Sequence, residues 1–293
     1  MTVTTQPEVI DNIDELRSRL SLARQHAAAT DGDTRVVLVP TMGALHDGHR
    51  ALVRRAVLDG GIVVVSIFVN PLQFGVGEDL DTYPRTLDAD VRVLAEEGAM
   101  FVFAPSAREM YPDGASSTRV TAGAIGGLYE GAARPGHFDG MLTVVTKLFN
   151  IVEPDLAVFG QKDAQQVFLV ERMIADLNLR VRLDVVPTVR EGGGLALSSR
   201  NQTLDPLARA AARALSAGLT TAAAAAPNGV PAAIVAAHAV IGAQPLVKLD
   251  YLVVVDPHTF LPVDDDYRGP ARMLVAAVVG STRLIDNISL DIS

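Results

Sequence analysis

Arg35-Val36-Val37-Leu38-Val39-Pro40-Thr41-Met42-Gly43-Ala44-Leu45-His46-Asp47-Gly48-His49-Arg50-Ala51-Leu52-Val53-Arg54-Arg55-Ala56-Val57 is the stretch that decides the fold. The apolar run from Arg35 to Val39 reads as a strand, Pro40 to His49 as a glycine-containing turn, and Arg50 to Val57 as a helix. Strand, turn and helix in that order open a parallel α/β unit. At a helix start the unpaired backbone N–H groups and the positive end of the dipole favour an anion. His46 and His49, with Gly48 between them, can both face a phosphate there. The competing reading is that one or both imidazoles cap the helix or fill the core. Two of them in one glycine turn after a buried strand favour function.

Outward from this stretch, strands and helices alternate. Gly61 to Asn70 is apolar nearly throughout and ends at Pro71, as expected of a strand buried on both faces of a parallel sheet. A polar loop from Gln73 to Thr86 precedes a helix at Asp88 to Glu97 and a short strand at Met100 to Ala104. Tyr111 to Gly140 is glycine-rich and irregular. Then follow a helix (Met141 to Val152), a strand (Leu156 to Phe159), a helix (Ala164 to Leu177) and a strand (Val181 to Val186). The character changes after Pro187. Leu207 to Ala226 is an alanine-rich helix suited to close packing through small side chains. A second helix at Pro231 to Ile241 precedes strands at Leu249 to Val255 and Arg272 to Val279. The expected architecture is an α/β fold, with a Rossmann-like parallel sheet in an N-terminal domain (1–188) and a smaller α+β C-terminal domain (189–293).

Composition narrows the function classes. The chain has 293 residues, 49% hydrophobic and 20% charged, which suits folded domains rather than disorder. Its net charge of −9 argues against a general nucleic-acid binder. With no cysteine, thiolate metal sites and cysteine nucleophiles are excluded. The N-terminal residues lack the basic flank and apolar core of a signal peptide, and no apolar run suits a membrane helix. A cytoplasmic protein is expected.

Three further constellations sit at predicted strand ends, the edge of a parallel sheet where ligands bind. Phe159-Gly160-Gln161-Lys162-Asp163-Ala164-Gln165-Gln166 offers a point charge in Lys162 and an acid, Asp163, suited to a first helical turn. A capped surface helix with a solvated lysine fits the same residues. Asn70-Pro71-Leu72-Gln73-Phe74 supplies a second glutamine. Gln73 and Gln166 are able to fix hydroxyls or an amide, although either alone reads equally as a solvated surface residue. Val189-Arg190-Glu191-Gly192-Gly193-Gly194-Leu195-Ala196-Leu197-Ser198-Ser199-Arg200-Asn201 suggests a mobile loop able to close over phosphates, or an ordinary glycine-rich hinge. Asp88 and Asp90 are candidate magnesium contacts, with Asp79 and Asp81 read as solvated acids. His137, in Arg134-Pro135-Gly136-His137-Phe138-Asp139-Gly140, is the one other histidine near the inferred site.

Together these blocks resemble the pantothenate synthetase (pantoate–β-alanine ligase) family, from about Val36 to Asn201 and weakly onward through Asp250-Tyr251 and Thr282-Arg283-Leu284-Ile285-Asp286-Asn287. The resemblance implies a Rossmann-like ATP-binding domain, a smaller lid domain and a homodimer. It also implies condensation of pantoate with β-alanine through a pantoyl adenylate, using ATP and Mg²⁺ and releasing AMP and pyrophosphate. Carried over by position, Met42, Gly43, Ala44, Leu45, His46, Asp47, Gly48 and His49 would line ATP, with His49 as the proton donor. Gly160, Gln161, Lys162, Asp163, Val189, Leu197, Ser198, Ser199 and Arg200 would complete the nucleotide site. Gln73 and Gln166 would hold pantoate, and Asp88 and Asp90 would meet magnesium. His46, His49, Lys162 and Arg200 are the candidate catalytic residues. The chain departs from the family pattern at Gln161 (often Glu), Ala164 (often Tyr), Gly192-Gly193-Gly194 (often Ala-Asp-Gly), Leu197 (often Met) and Ala89 (often acidic).

Two rivals stay open at this level. A nucleotidylyltransferase acting on a phosphate-bearing acceptor shares the His-x-Gly-His logic but needs a further basic site. A non-catalytic ATP-binding regulator has no need of His46, His49 and Lys162 together.

Overall fold

The computed structural model describes residues 6–75, 80–81, 83–114 and 116–293. Asp79 lies outside them. The described residues form two compact units, one running up to Gln161 and taking in Leu169–Val186, the other Lys162–Phe168 with Pro187–Ser293. The second therefore takes in Lys162–Phe168, a segment inside the first span as read from the sequence.

The elements of the first unit run β1 (Glu8–Ile10), α1 (Ile13–Ala29), β2 (Val36–Thr41), α2 (Asp47–Asp59), β3 (Ile62–Ile67), α3 (Leu87–Glu97), β4 (Phe101–Phe103), α4 (Ala107–Met110), α5 (Glu130–Ala133), α6 (His137–Val152), β5 (Leu156–Gly160), the part of α7 (Ala164–Asp176) from Leu169 onward, and β6 (Arg182–Val186). All six strands pair in parallel in the order β1-β4-β3-β2-β5-β6. The chain winds one way from β2 to β4 and the other way from β5 to β6. The order thus reverses between β2 and β5, the switch point outside whose carboxyl ends ligands bind. Val36 to Val39 and Ile62 to Val65 are buried throughout. Val37, Val39, Val63 and Val65 pack with Leu52, Val53 and Ala56 of α2 and with Val91 and Leu94 of α3. Each such valine or leucine side chain contributes about 1.5–3 kcal/mol on burial.

Helix α2 is tied to α3 by charge as well. The Glu97 carboxylate, 5% exposed, receives Arg54 through Nε and Nη2 at 2.6 and 2.7 Å, and Arg50 Nε at 2.5 Å. Burial alone would raise its pKa, but the hydrogen bonds from Arg54 and the charge of Arg50 hold it below the ordinary value of 4.5. A depressed carboxyl pKa adds stability that is complete above the unfolded value and fades as pH falls through the folded one. Glu97→Gln should therefore melt lower than wild type at neutral pH. The gap should close as the pH is taken well below 4.5 in a series of calorimetric scans.

The second unit has α8 (Pro206–Ala225), α9 (Val230–Gly242), β7 (Val247–Val255), β8 (Gly269–Val279) and β9 (Thr282–Ile292), the strands forming an antiparallel sheet in the order β7-β8-β9. Asp205 caps α8 by accepting from Ala208 N, with Pro206 in the first turn. Ala211, Ala212, Leu215, Leu219 and Ala222 of α8 pack with Ala233, Ala237 and Ile241 of α9 over the sheet. A Cβ added at Gly218 would sit 2.7 Å from Ile241 Cγ1, so the small side chains are what allow this approach.

Beyond the one-turn helices α4 and α5, the second of which lies in the stretch read as irregular, three elements among the described residues were not anticipated from the sequence. Helix α1 buries only Leu16 and Leu20 among many charged residues, which dilutes its period. Strand β1 is three residues long. Strand β9 carries Asp286 and Asn287 in its middle, which interrupts the alternation of apolar residues. No helix of the described residues is long and apolar enough to cross a membrane.

Candidate functional site

In the first unit, β2 ends at Thr41, whose hydroxyl donates to Ser66 O and accepts from Gly43 N. The chain then turns through Gly43 (φ 82°) and Ala44 (φ 51°) into α2. A positive φ is strained at alanine, and the strain is held by Asp90. One carboxylate oxygen accepts from Ala44 N at 3.0 Å and from Thr86 Oγ1 at 3.1 Å, and the other from Leu45 N at 2.8 Å. Asp90 is only 3% exposed. Accepting from two backbone N–H groups and a hydroxyl, the Asp90 carboxylate is a strut for the turn. Asp88 is exposed, and no group of three or more His, Asp or Glu among the described residues could hold a metal.

His46 and His49 both cap α2. His46 Nδ1 accepts from Gly48 N at 3.1 Å, and His49 Nδ1 accepts from His46 N at 3.3 Å. A backbone N–H can only donate, so each neutral imidazole carries its proton on Nε2. Capping and function are therefore not alternatives here. The caps fix the tautomers, with the proton on Nε2, on rings whose centroids lie 4.1 Å apart.

Gln73 follows β3 and is 8% exposed. Its orientation is set by a chain of groups with fixed polarity. Asn70 Oδ1 accepts from Leu72 N, and Asn70 Nδ2 donates to Gly140 O, so the Asn70 amide has one possible direction. Its Nδ2 also donates to Gln73 Oε1 at 3.1 Å, which leaves Gln73 Nε2 as the end that presents N–H donors. Tyr111 Oη donates to Asn70 Oδ1 at 2.9 Å, and burial pushes its pKa to about 12, so it stays a donor. The Gln73 carbonyl is held by His137 Nδ1 at 3.0 Å and Arg134 Nη2 at 3.2 Å. The sequence placed His137 near the site; its task of pinning the Gln73 backbone with Arg134, and that of Tyr111 and Gly140 in holding Asn70, were not readable there.

In the second unit, Lys162 is one-fifth exposed and lies 3.9 Å from Asp163. Asn287 Nδ2 donates to the Lys162 carbonyl at 3.0 Å. Phe168 stacks on Phe260 with centroids 4.9 Å apart. Gln166 is half-buried in the first turn of α7. The segment expected as a mobile loop is a hairpin. Glu191 N donates to Leu195 O, Gly194 N to Glu191 O and Leu197 N to Val189 O. Gly193 (φ 100°) and Gly194 (φ 92°) make the turn in a region that L side chains rarely adopt. Glu191 accepts from Asn201 Nδ2 and Arg209 Nη1, and Arg190 forms a two-point pair with Asp286. Those contacts anchor Leu197, Ser198, Ser199 and Arg200, and Ser198 Oγ accepts from Arg200 N.

Known proteins resemble this chain in sequence and in fold. A sequence profile described as Pantoate-beta-alanine ligase matches residues 8–289. A curated pantothenate synthetase of Leifsonia xyli subsp. xyli is 65% identical over 276 residues, which cover 93% of this chain and 96% of that protein. One from Acidothermus cellulolyticus is 54% identical over 291 residues, covering 98% and 93%. The crystal structure of pantothenate synthetase from Thermus thermophilus matches with a TM-score of 0.87 at 45% identity, over 96% of this chain and 98% of that one. A pantoate-beta-alanine ligase from Francisella tularensis, complexed with beta-gamma ATP and beta-alanine, matches with a TM-score of 0.75 at 33% identity, over 96% and 97%.

Proposed function

The chain belongs to the pantoate-beta-alanine ligase family, and on that premise we propose how its own residues carry the reaction. The enzyme condenses pantoate with β-alanine using ATP. In the first step a pantoate carboxylate oxygen attacks the α-phosphorus of ATP. The bond from that phosphorus to the bridging oxygen breaks, and pyrophosphate leaves. Both reactants are anions, so the barrier is mainly repulsion and misorientation. Met42 to His49 line the nucleotide in this reading, with the Nε2–H groups of His46 and His49 donating to phosphate oxygens. Lys162 and Arg200 offset charge growing on the leaving pyrophosphate, and Gly160 to Asp163, Val189 and Leu197 to Ser199 complete the nucleotide contacts. Gln73 and Gln166 hold pantoate, Gln73 through its Nε2–H.

In the second step the β-alanine nitrogen attacks the acyl carbon of the pantoyl adenylate. AMP departs, and the nitrogen loses a proton. AMP is a good leaving group, so positioning and exclusion of water suffice without a strong protein base. The same reading makes residues 1–188 the ATP- and pantoate-binding domain and 189–293 a lid, in a cytoplasmic homodimer. Magnesium is proposed to arrive with the nucleotide, whose phosphates supply most of its ligands; when bound it neutralises phosphate charge. Of the two acids nominated for it, Asp88 is the candidate, through water.

The observation that carries the proposal is the pair of histidine caps, which leave the proton of each neutral imidazole on Nε2 at a helix start that follows a switch-point strand. With ATP and pantoate alone, the enzyme should release a burst of pyrophosphate, and AMP should accumulate only after β-alanine is added. ATP binding without pyrophosphate release in the presence of both acids would overturn the reading.

The Tyr111–Asn70–Gln73 chain yields a finer expectation. Tyr111→Phe removes one buried donor to Asn70 Oδ1 and so loosens the amide that holds Gln73. Its KM for pantoate should rise about tenfold, the scale of one lost hydrogen bond, while the KM for ATP is unchanged. Steady-state kinetics in each substrate measures both.

A further inference from the structure

Strand β9 contains an anomaly that packing does not explain. Leu284, Ile288, Leu290 and Ile292 alternate toward the α8–α9 core, and the position between Leu284 and Ile288 on that same face is Asp286, 4% exposed. The next residue, Asn287, points to the opposite face and is 5% exposed. A buried carboxylate and a buried amide in the middle of an apolar strand are costly, and hydrophobic residues of similar size would serve stability as well or better. Their partners supply the reason for them.

Asp286 meets Arg190 at 2.6 and 3.0 Å, fixing the base of the hairpin that leads to Leu197–Arg200. Arg190 also donates to Gly194 O at the hairpin's turn. Thr282, at the start of β9, pairs with Thr203 just beyond that hairpin at 2.7 Å. Asn287 works on the other face. Arg272 Nη1 can only donate, and it donates to Asn287 Oδ1 at 2.6 Å. The amide therefore turns its Nδ2 to the Lys162 carbonyl at 3.0 Å. That bond fixes the Lys162–Asp163 peptide and with it the direction in which the lysine side chain leaves the backbone.

We propose that Asp286 and Asn287 are positioning residues for adenylation: adjacent on one strand, they set the Arg190–Arg200 hairpin from one face of the sheet and Lys162 from the other. The proposal rests on the reading that Lys162 and Arg200 act on ATP. It joins the two phosphate-handling segments of the second unit to one rigid strand.

Asn287→Asp tests it. The substitution keeps the size and an oxygen for Arg272 but removes the donor to Lys162 O. The single-turnover rate of pyrophosphate release at saturating ATP should fall about tenfold, with the KM for pantoate unchanged. In a Lys162→Ala background the same substitution should cost nothing more, since it acts through Lys162. A purely structural role would instead lower the rate by the same factor in both backgrounds, and that result would overturn the proposal. So would a wild-type rate in Asn287→Asp while Lys162→Ala is slow. A wild-type rate in Lys162→Ala itself would overturn the functional reading beneath it. Asp286→Asn, run in the same cycle against Arg200→Ala, tests the other face. A rise in the KM for ATP that vanishes without Arg200 supports it, and one that persists refutes it.

Discussion

Lys162→Ala is expected to slow adenylate formation by about 10²-fold or more, the usual loss for one preorganised donor, with no change in melting temperature. The ammonium group lies 3.9 Å from Asp163 on a one-fifth-exposed side chain, an ion pair of little worth to stability. In the proposed mechanism its electrostatic contribution is realised when negative charge builds on the phosphates. His49→Ala should show a similar kinetic loss but a different thermal signature. His49 Nδ1 accepts from the His46 N–H at the start of α2, so alanine removes a helix cap as well as an Nε2–H donor. Losing a cap costs about 0.5–2 kcal/mol, which for a chain of this size is a drop of a few degrees. Rapid-quench measurement of pyrophosphate and calorimetry on both variants check the pair. A wild-type adenylation rate in either removes that residue from the proposed machinery.

Gly140→Ala should be strongly damaging to both fold and function in the first unit. The segment Pro71–Gln73 lies directly against α6, and a Cβ at residue 140 would stand 2.0 Å from Leu72 O and 2.4 Å from Leu72 C. Backbone atoms cannot swing aside as a flexible side chain can, so the helix and the segment must separate. Overpacking of this kind costs about 1–3 kcal/mol or more. The displacement falls on the stretch that carries Gln73, and it also lengthens the bond from Asn70 Nδ2 to Gly140 O, now 3.0 Å. The melting temperature should fall by several degrees, and the KM for pantoate should rise well beyond the tenfold expected for Tyr111→Phe. Gly136→Ala offers the contrast, because a Cβ there meets nothing within 4 Å, although its φ of +80° adds some backbone strain.

Much of this was legible in the chain. Arg35 to Val57 announced strand, turn and helix, and β2 and α2 lie there. The alternation of buried runs with helical periods gave the parallel sheet, because a strand covered on both faces must be apolar throughout. The alanine-rich run gave α8. What the sequence concealed has one cause. Asp90 to Ala44, Asn287 to Lys162, His137 to Gln73 and Arg190 to Asp286 are bonds between residues 46 to 125 positions apart. Such a partner leaves no periodicity in the local pattern. Asp90 reads as an acid in a helix's first turn, free for a cation, until the backbone N–H groups it accepts are seen. Asp286 and Asn287 read as a break in a strand, and β9 was missed for the same reason.

The sequence by itself determined the family, the parallel α/β order and the residue types that can meet phosphate, since period, helix starts and motif order are local properties of the chain. Only the tertiary structure decided which nitrogen of His46 and His49 bears the proton, which end of the Gln73 amide donates, and what holds Lys162. Those depend on the fixed polarity of backbone groups brought close by folding, and no local pattern of side chains encodes it.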